Sequence, residues 1–207
     1  MNVYDFDKTI YDGDCSVDFF LFALGKNPRL AGLLPRMCKA YLSYRFGKME
    51  KKECKEIFFS FLQRLDNPVY QIECFVKKNR KKIKRWYIGQ MKVDDLIITA
   101  SPEPLVQSFL NGLSGQRCIG TKMDMGTGKI QGENCYGREK AVRFREVCGE
   151  KTIDNFYTDS KSDMAMILLA ENAYYVKKEY VRKIPSKKFH YNNRITQTSH
   201  TSWCAEP

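Results

Sequence analysis

Near its amino terminus the sequence reads Val3-Tyr4-Asp5-Phe6-Asp7-Lys8-Thr9, a short apolar run that ends in two acidic residues one position apart. Residues 2–6 are predicted to form a β-strand. Because the chain turns where a strand ends, the two carboxylates can face different groups and take two different roles. A single acid after a strand is more often a helix cap or a turn residue, so the rest of the chain decides what this pair means.

Further strands are predicted downstream, separated by helical patterns. The predicted strands are 96–99, 118–121, 156–158 and 173–176, and the predicted helices are 103–111, 139–147 and 161–170. Strands that alternate with helices are typical of the α/β class, in which a doubly wound, mostly parallel sheet carries helices on both faces.

Residues 16–90 interrupt this alternation, because they combine long helical patterns with Gly and Pro breakers and contain no convincing strand. We therefore predict a helical cap at 16–90, inserted after the first strand, and a catalytic core formed by 1–15 and 91–190. Residues 191–207 are rich in Ser and Thr and are predicted to be a loosely ordered tail. Residues 124–129, with two glycines, are predicted to form a hairpin turn.

Bulk composition narrows the class of protein. The chain has 207 residues, is 43% hydrophobic and carries a formal charge of +11, so it can bury a core and attracts anionic partners. Its eight cysteines contain no CxxC pair, which favours reduced thiols over a disulfide scaffold or a zinc site. We predict no signal peptide and no transmembrane segment, since the most apolar run, 19–24, is too short to span a bilayer, and hence a cytoplasmic location.

A second acidic pair, Asp159 and Asp163, follows the predicted strand at 155–158. Carboxyl ends of parallel strands meet at one edge of a sheet, so this pair is expected to lie near Asp5 and Asp7. Four clustered carboxylates repel one another unless a cation neutralises them. Mg²⁺ is the ion that such an all-oxygen site favours.

Two other features complete the candidate site. Thr99-Ala100-Ser101-Pro102 ends a strand in hydroxyls and leads into a helix, whose free N–H groups would bind an anion. Lys140 begins a helix after Gly137 and would supply a fixed positive charge. A solvated surface lysine is the alternative, because the chain has 35 basic residues.

The order Asp-x-Asp-x-Thr, strand-Thr, Gly-x-x-Lys and Asp-x-x-x-Asp resembles the four motifs of the haloacid dehalogenase-like (HAD) superfamily. The resemblance spans residues 1–176, and the helical insertion is similar to the cap of the phosphoserine-phosphatase-like branch, subfamily IB. The chain lacks the Gly-Gly and Gly-Asp-Gly-x-Asn-Asp patterns of phosphoserine phosphatases. It carries Asp14 where those enzymes usually place a substrate-binding Glu.

The resemblance implies a Rossmann-like core and a Mg²⁺-dependent phosphomonoester hydrolase that acts through an aspartyl-phosphate. It makes Asp5 the nucleophile and Asp7 the acid and base, with Thr99 and Lys140 stabilising the phosphoryl charge. The implied metal ligands are Asp5, Asp7 through its carbonyl, Asp159 and Asp163. The implied phosphate- or substrate-binding residues are Phe6, Thr9, Asp14, Ala100 and Ser101.

The predicted partner is a small phosphorylated substrate, either a metabolite or a lipid headgroup. Residues 77–87 carry seven basic residues and end in Trp86-Tyr87 on what is predicted to be the last cap helix. They indicate either an anionic lipid surface or a solvated helix face, and nucleic acid is not the predicted partner. A phosphotransferase using the same intermediate, and a nucleic-acid- or membrane-binding protein with a vestigial site, are the alternative functions.

Overall fold

The computed structural model describes residues 1–111, 113 and 116–185. Its six-stranded sheet has the order β3-β2-β1-β4-β5-β6. All neighbouring pairs are parallel except β5 with β6. The strands are β1 Asn2–Tyr4, β2 Leu96–Pro102, β3 Arg117–Thr121, β4 Ile153–Thr158, β5 Ala170–Lys177 and β6 Tyr180–Lys183. The predicted doubly wound α/β class is confirmed.

Helices cover both faces of the sheet. They are α1 Cys15–Lys26, α2 Leu34–Arg45, α3 Lys51–Phe59, α4 Pro68–Asn79, α5 Arg85–Ile88, α6 Glu103–Leu110, α7 Arg138–Cys148 and α8 Met164–Leu169. Short 3₁₀ turns lie at Pro28–Leu33, Ser60–Arg64, Arg80–Lys82 and Lys161–Asp163. Among the residues that the structure describes, no helix has the length and apolar character to cross a bilayer. The seven cysteines in this part of the chain are free thiols.

The central strands are buried on both faces, as the packing of a doubly wound sheet requires. Val3 points into a cluster with Phe144 of α7 and Met166 of α8. Tyr4, one position on, points into the opposite cluster and stacks on the ring of Tyr157 with centroids 4.7 Å apart. The two-residue period of a strand therefore builds a separate core on each side of the sheet.

Strand β1 is shorter than the predicted 2–6, because the chain turns immediately after Tyr4. The Asp5 N–H still donates to the Tyr157 carbonyl at 2.9 Å. The Phe6 carbonyl then accepts the N–H groups of Ile10 and Tyr11, both at 2.9 Å, which closes a tight turn. Strand β6 was not predicted, because its side chains are all exposed and show no apolar alternation.

Helices α1–α5 lie between β1 and β2 and match the predicted helical segment 16–90, except that α1 begins one residue earlier, at Cys15. Their apolar side chains join the cluster that covers the Tyr4 face of the sheet. Phe75 of α4, for example, meets Phe109 of α6 with ring centroids 5.7 Å apart. The division of the chain into a core and a cap remains a prediction, and the predicted tail at 191–207 lies outside the described residues.

The prediction that residues 77–87 lie on one helix is wrong. Helix α4 ends at Asn79, a 3₁₀ turn follows, and α5 begins at Arg85. Tyr87 is fully buried against Tyr4, with ring centroids 5.0 Å apart, and Trp86 packs on Tyr157 at 5.6 Å. Both aromatic residues lie on α5 and pack next to the sheet, so they do not continue the basic face of α4.

The predicted hairpin turn at 124–129 is confirmed. The Asp124 N–H donates to the Lys129 carbonyl at 2.9 Å, and Gly128 adopts a positive φ of 74°. The turn docks on α3, since the Ile130 N–H donates to Glu56 Oε1 at 2.9 Å. It thereby fixes the helix that forms one wall of the cavity described below.

Candidate active site

The candidate site lies at the carboxyl edge of the three central strands. Asp5 follows β1, Asp159 follows β4, and Ala100 and Ser101 lie near the end of β2. Strand β1 pairs with β2 on one side and with β4 on the other, both parallel. Strands β2 and β3 lie on one side of β1, and β4 and β5 lie on the other, so the strand order reverses at β1. Doubly wound sheets form their ligand crevices at such a switch point. A cavity of about 460 Å³ opens there.

Asp5 lies on the floor of this cavity and is 7% exposed. Its Oδ1 accepts a hydrogen bond from Lys140 Nζ at 2.7 Å, and its Oδ2 accepts one from the Thr9 hydroxyl at 3.3 Å. Burial raises the pKa of Asp5 to about 7, and the Lys140 charge opposes that rise. Two hydrogen bonds therefore fix the position of the carboxylate, whose negative charge is disfavoured by burial.

Lys140 is buried between two carboxylates. Its ammonium donates to Asp5 and, at 2.8 Å, to Asp163 Oδ2. Burial alone lowers the pKa of a lysine, but the charges of Asp5 and Asp163 raise the pKa of Lys140 above its ordinary range. The solvated-lysine alternative is therefore wrong for this residue.

Asp163 is 1% exposed, and only one of its two carboxylate oxygens has hydrogen-bond partners. Its Oδ2 accepts hydrogen bonds from Lys140 and from the Thr158 hydroxyl, each at 2.8 Å. Its Oδ1 is buried without a hydrogen-bond partner. An unpaired buried carboxylate oxygen is unfavourable, so it marks a place where water or a cation fits.

Asp7 is held by the first turn of α1 and by β2. Its Oδ1 accepts the Cys15 N–H at 2.7 Å, and its Oδ2 accepts the Ser101 hydroxyl at 2.5 Å. Burial raises the pKa of Asp7, and the nearby charge of Asp14 adds to the rise. Burial also raises the pKa of Asp159, while Lys8 opposes this.

Other predicted residues fall into two groups. Ala100, Ser101 and Asp14 line the cavity, whereas Phe6, Thr9 and Thr99 do not. Thr99 is fully buried, and its hydroxyl oxygen accepts the Ser101 N–H at 3.0 Å. The side-chain hydroxyl that reaches the cavity from this strand is therefore that of Ser101.

Asp14 has a structural role that the sequence analysis did not assign. Its Oδ1 accepts the N–H groups of Ser16 and Val17, at 3.0 Å and 3.1 Å, and so caps the amino terminus of α1. Phe6 also packs in the core, with its ring 5.7 Å from that of Tyr11. The roles predicted for these residues in binding substrate remain predictions.

The acidic groups of the site are compatible with a bound divalent cation. Asp5, Asp7, Asp159 and Asp163 all line the cavity, and Lys140 is the cation bonded to two of them. Within the described residues no three or more His, Cys, Asp or Glu side chains form a preformed metal cluster. A Mg²⁺ site needs only one or two carboxylates, because water and substrate oxygens complete its shell.

Comparison with known proteins identifies the family of this chain. A family model described as haloacid dehalogenase-like hydrolase matches residues 3–168. The chain belongs to this family. The resemblance predicted from the four motifs is therefore confirmed.

Relatives of this haloacid dehalogenase-like hydrolase include Protein CicA of Caulobacter vibrioides, 29% identical over 191 residues that cover 83% of each chain. A protein of unknown function from Bordetella pertussis Tohama I has a similar structure, with a TM-score of 0.67, 18% identity and coverage of 84% of this chain and 87% of that one. A phospho-aspartyl intermediate analogue of phosphoserine phosphatase matches with a TM-score of 0.52, 17% identity and 83% of each chain. The fold is shared with phosphoserine phosphatases.

Sequence analysis missed two lysines that shape this hydrolase's site. Lys55 of α3 reaches across to the strand ends, where it contacts the Ala100 carbonyl and donates to Asn134 Oδ1 at 2.9 Å. Lys84 is buried and donates to the carbonyl of Lys8, whose φ of 59° is rare for a non-glycine residue. Nothing in the local sequence distinguishes either lysine from its many basic neighbours.

Proposed function

We propose that this hydrolase is a Mg²⁺-dependent phosphatase that cleaves phosphate monoesters through a phosphoryl group carried on Asp5. The observation that carries the proposal is the position of the Asp5 carboxylate. It lies on the floor of the cavity, held at both oxygens by Lys140 and Thr9. A carboxylate fixed in this way needs no reorientation before it attacks phosphorus.

In the first step an Asp5 oxygen bonds to phosphorus and the bond from phosphorus to the ester oxygen breaks. Asp7 gives its proton to the departing oxygen, which leaves as an alcohol. In the second step Asp7 takes a proton from water, the water oxygen bonds to phosphorus, and the bond between Asp5 and phosphorus breaks. The products are the alcohol and inorganic phosphate.

Asp7 suits the acid and base role because burial raises its pKa, which favours the protonated form that the first step needs. Its hydrogen bonds to Cys15 N–H and Ser101 fix the carboxyl group beside the cavity. The separate anchoring of Asp5 and Asp7 supports different roles for the two acids.

The phosphoryl oxygens would be held by Lys140, by the Ser101 hydroxyl and by N–H groups near Phe6 and Ala100. Thr99 would act behind them by holding the Ser101 N–H. Fixed donors aimed at developing negative charge supply most of the catalysis in phosphoryl transfer.

The residues that would hold Mg²⁺ are Asp5, Asp159 and the carbonyl of Asp7, with Asp163 either as a ligand or behind them. When bound, Mg²⁺ supplies positive charge that stabilises the phosphoryl oxygens. The unpaired Oδ1 of Asp163 and the raised pKa of Asp159 support a cation here. The positive charge of Lys140 lies between Asp5 and Asp163 and reduces the repulsion between their carboxylates.

The substrate is proposed to be a small phosphorylated metabolite or a lipid headgroup. A panel of phosphomonoesters, assayed for released phosphate with Mg²⁺ and with or without acceptor alcohols, tests the proposal. Release of inorganic phosphate regardless of added alcohol supports a hydrolase. Transfer of phosphate to the alcohol would instead identify a phosphotransferase, and no turnover of any ester by the wild-type protein would contradict both.

A further inference from the structure

The cavity has two walls of opposite character. Its floor carries the acids and Lys140, whereas α1, α2 and α3 supply the opposite wall. The side chains of that wall are mostly apolar or aromatic: Val17, Met37, Tyr41, Tyr44, Phe58 and Phe59. A phosphate bound to the floor would direct the rest of its molecule towards these helices.

Several of these wall side chains are not covered by the rest of the chain. Tyr41 is 56% exposed and Val17 is 44% exposed, although both line the cavity. Apolar surface gains stability when a ligand removes it from water, by about 25 cal/mol for each Å². A cavity with a catalytic floor and an uncovered apolar wall suits a ligand with one charged and one apolar end.

The same wall lacks the charge that an amino-acid phosphate needs. Among the cavity-lining residues that the structure describes, α1–α3 contribute no carboxylate. The nearest acid before α1 is Asp14, whose Oδ1 is occupied by the N–H groups of Ser16 and Val17. Asp14 therefore offers a substrate ammonium group on this side only the oxygen that does not cap α1.

The two lysines of the wall, Lys51 and Lys55, already contact other side chains. Lys55 donates to Asn134 at 2.9 Å, and Lys51 lies 2.9 Å from the centre of the Tyr136 ring. Both lysines lie where α3 approaches the strand ends, so their charge serves the phosphate end of the cavity. Val17 and Tyr41, the wall residues that are more than one-third exposed, carry no charge.

We propose that the preferred substrates are phosphate monoesters whose leaving group is an apolar chain, packed against Val17, Met37, Tyr41 and Phe58. This inference rests on the proposed phosphatase function and specifies the substrate class of the same site. The inference predicts that the enzyme prefers such esters to phosphoserine and other amino-acid phosphates.

A chain-length series tests the inference. The wild-type enzyme with Mg²⁺ is assayed on ethyl, butyl, hexyl and octyl phosphate and on O-phosphoserine. We expect kcat/KM to rise about twofold or more for each added methylene, so that octyl phosphate exceeds ethyl phosphate by at least about 50-fold. O-phosphoserine is expected to fall below butyl phosphate.

Two matched variants on α2 locate the effect. Tyr41→Ser removes an aromatic side chain from the cavity wall. Leu42→Ser removes an aliphatic side chain that is 53% exposed and does not line the cavity. We expect the octyl-to-ethyl ratio of kcat/KM to fall at least about fivefold in Tyr41→Ser and to stay at the wild-type value in Leu42→Ser. Equal ratios in the two variants would overturn the proposed location.

A binding measurement separates this inference from the proposed chemistry. Calorimetry on Asp5→Asn is expected to show octyl phosphate binding at least about tenfold more tightly than ethyl phosphate. Turnover without any dependence on chain length would overturn the inference and leave the phosphatase function intact. Absence of all turnover would contradict the proposed phosphatase function. Equal affinities for octyl and ethyl phosphate in Asp5→Asn would overturn the inference, whatever the turnover.

Discussion

The ammonium of Lys140 joins the two acidic ends of the site, 2.7 Å from Asp5 Oδ1 and 2.8 Å from Asp163 Oδ2. The three side chains come from a loop after β1, from α7 and from the turn before α8. All three are at least nine-tenths buried, with exposed fractions of 7% for Asp5, 2% for Lys140 and 1% for Asp163. This ion triad connects the proposed catalytic site to the stability of the fold, because removing Lys140 would leave two buried carboxylates without their shared cation.

Lys140→Met is expected to lower the free energy of unfolding by about 3 kcal/mol, since uncompensated buried charges are strongly destabilising. Phosphate release should fall by at least about 100-fold. Chemical denaturation and an activity assay measure the two effects. Lys161→Met, at an exposed position, is the control. A free energy of unfolding equal to that of the control would contradict the importance of the triad.

Asp5→Asn is expected to lower kcat by at least about 1000-fold, because an amide is a poor nucleophile towards phosphorus. The protein should stay folded, since Lys140 still pairs with Asp163. Circular dichroism and phosphate release test this together, and Asp94→Asn, at an exposed position, serves as the control. Substantial residual activity in folded Asp5→Asn would exclude the proposed nucleophile.

Removing metal is expected to silence the enzyme, and adding Mg²⁺ after EDTA treatment should restore activity. Because Mg²⁺ would bind the folded state only, it should also raise Tm in a concentration-dependent way. Asp159→Asn is expected to weaken the apparent Mg²⁺ affinity read from that Tm series by at least about tenfold. An identical Tm series for Asp159→Asn and wild type would argue that Asp159 is not a ligand.

The Lys55 amine is expected to titrate well below the ordinary range of a lysine. Burial lowers the pKa of Lys55 to about 8, below the value of about 10.4 for an unfolded lysine. Between these values the unfolded chain binds more protons than the folded one, so stability rises with pH. Relative to Lys55→Met, the wild type should gain about 2 kcal/mol in free energy of unfolding between pH 7 and pH 9.5. An NMR titration of the ε-amine with a midpoint near 10 would contradict this.

Gly128→Ala is expected to destabilise the protein by about 2 kcal/mol, since Gly128 combines a φ of 74° with close backbone contact. An added Cβ would overlap the carbonyl oxygen of Phe59 and lie 2.7 Å from its carbon. Because Phe59 ends α3, the cavity wall should shift and KM should rise. Gly126→Ala in the same turn meets only the Asp124 side chain and should be nearly neutral, as thermal unfolding can show.

The sequence predicted the fold class well because strand and helix signals are local. Residues 96–99 and 118–121 are short, mostly apolar runs that each follow a charged residue, and both lie within observed strands. Strand β6 escaped prediction because main-chain hydrogen bonds to β5, rather than side-chain burial, hold it in place. The run at 77–87 was assigned to one helix because its charge pattern does not show where Trp86 and Tyr87 pack.

The sequence by itself predicted the candidate set of acids, hydroxyls and a lysine, because their order along alternating strands and helices is a local pattern. Tertiary structure alone decided which of them meet. It buried Lys140 between Asp5 and Asp163, turned Thr99 away from the cavity and brought in Lys55, 45 positions from Ala100. Such contacts join residues far apart in the chain, and neither periodicity nor spacing along a sequence records which distant side chains share one cavity.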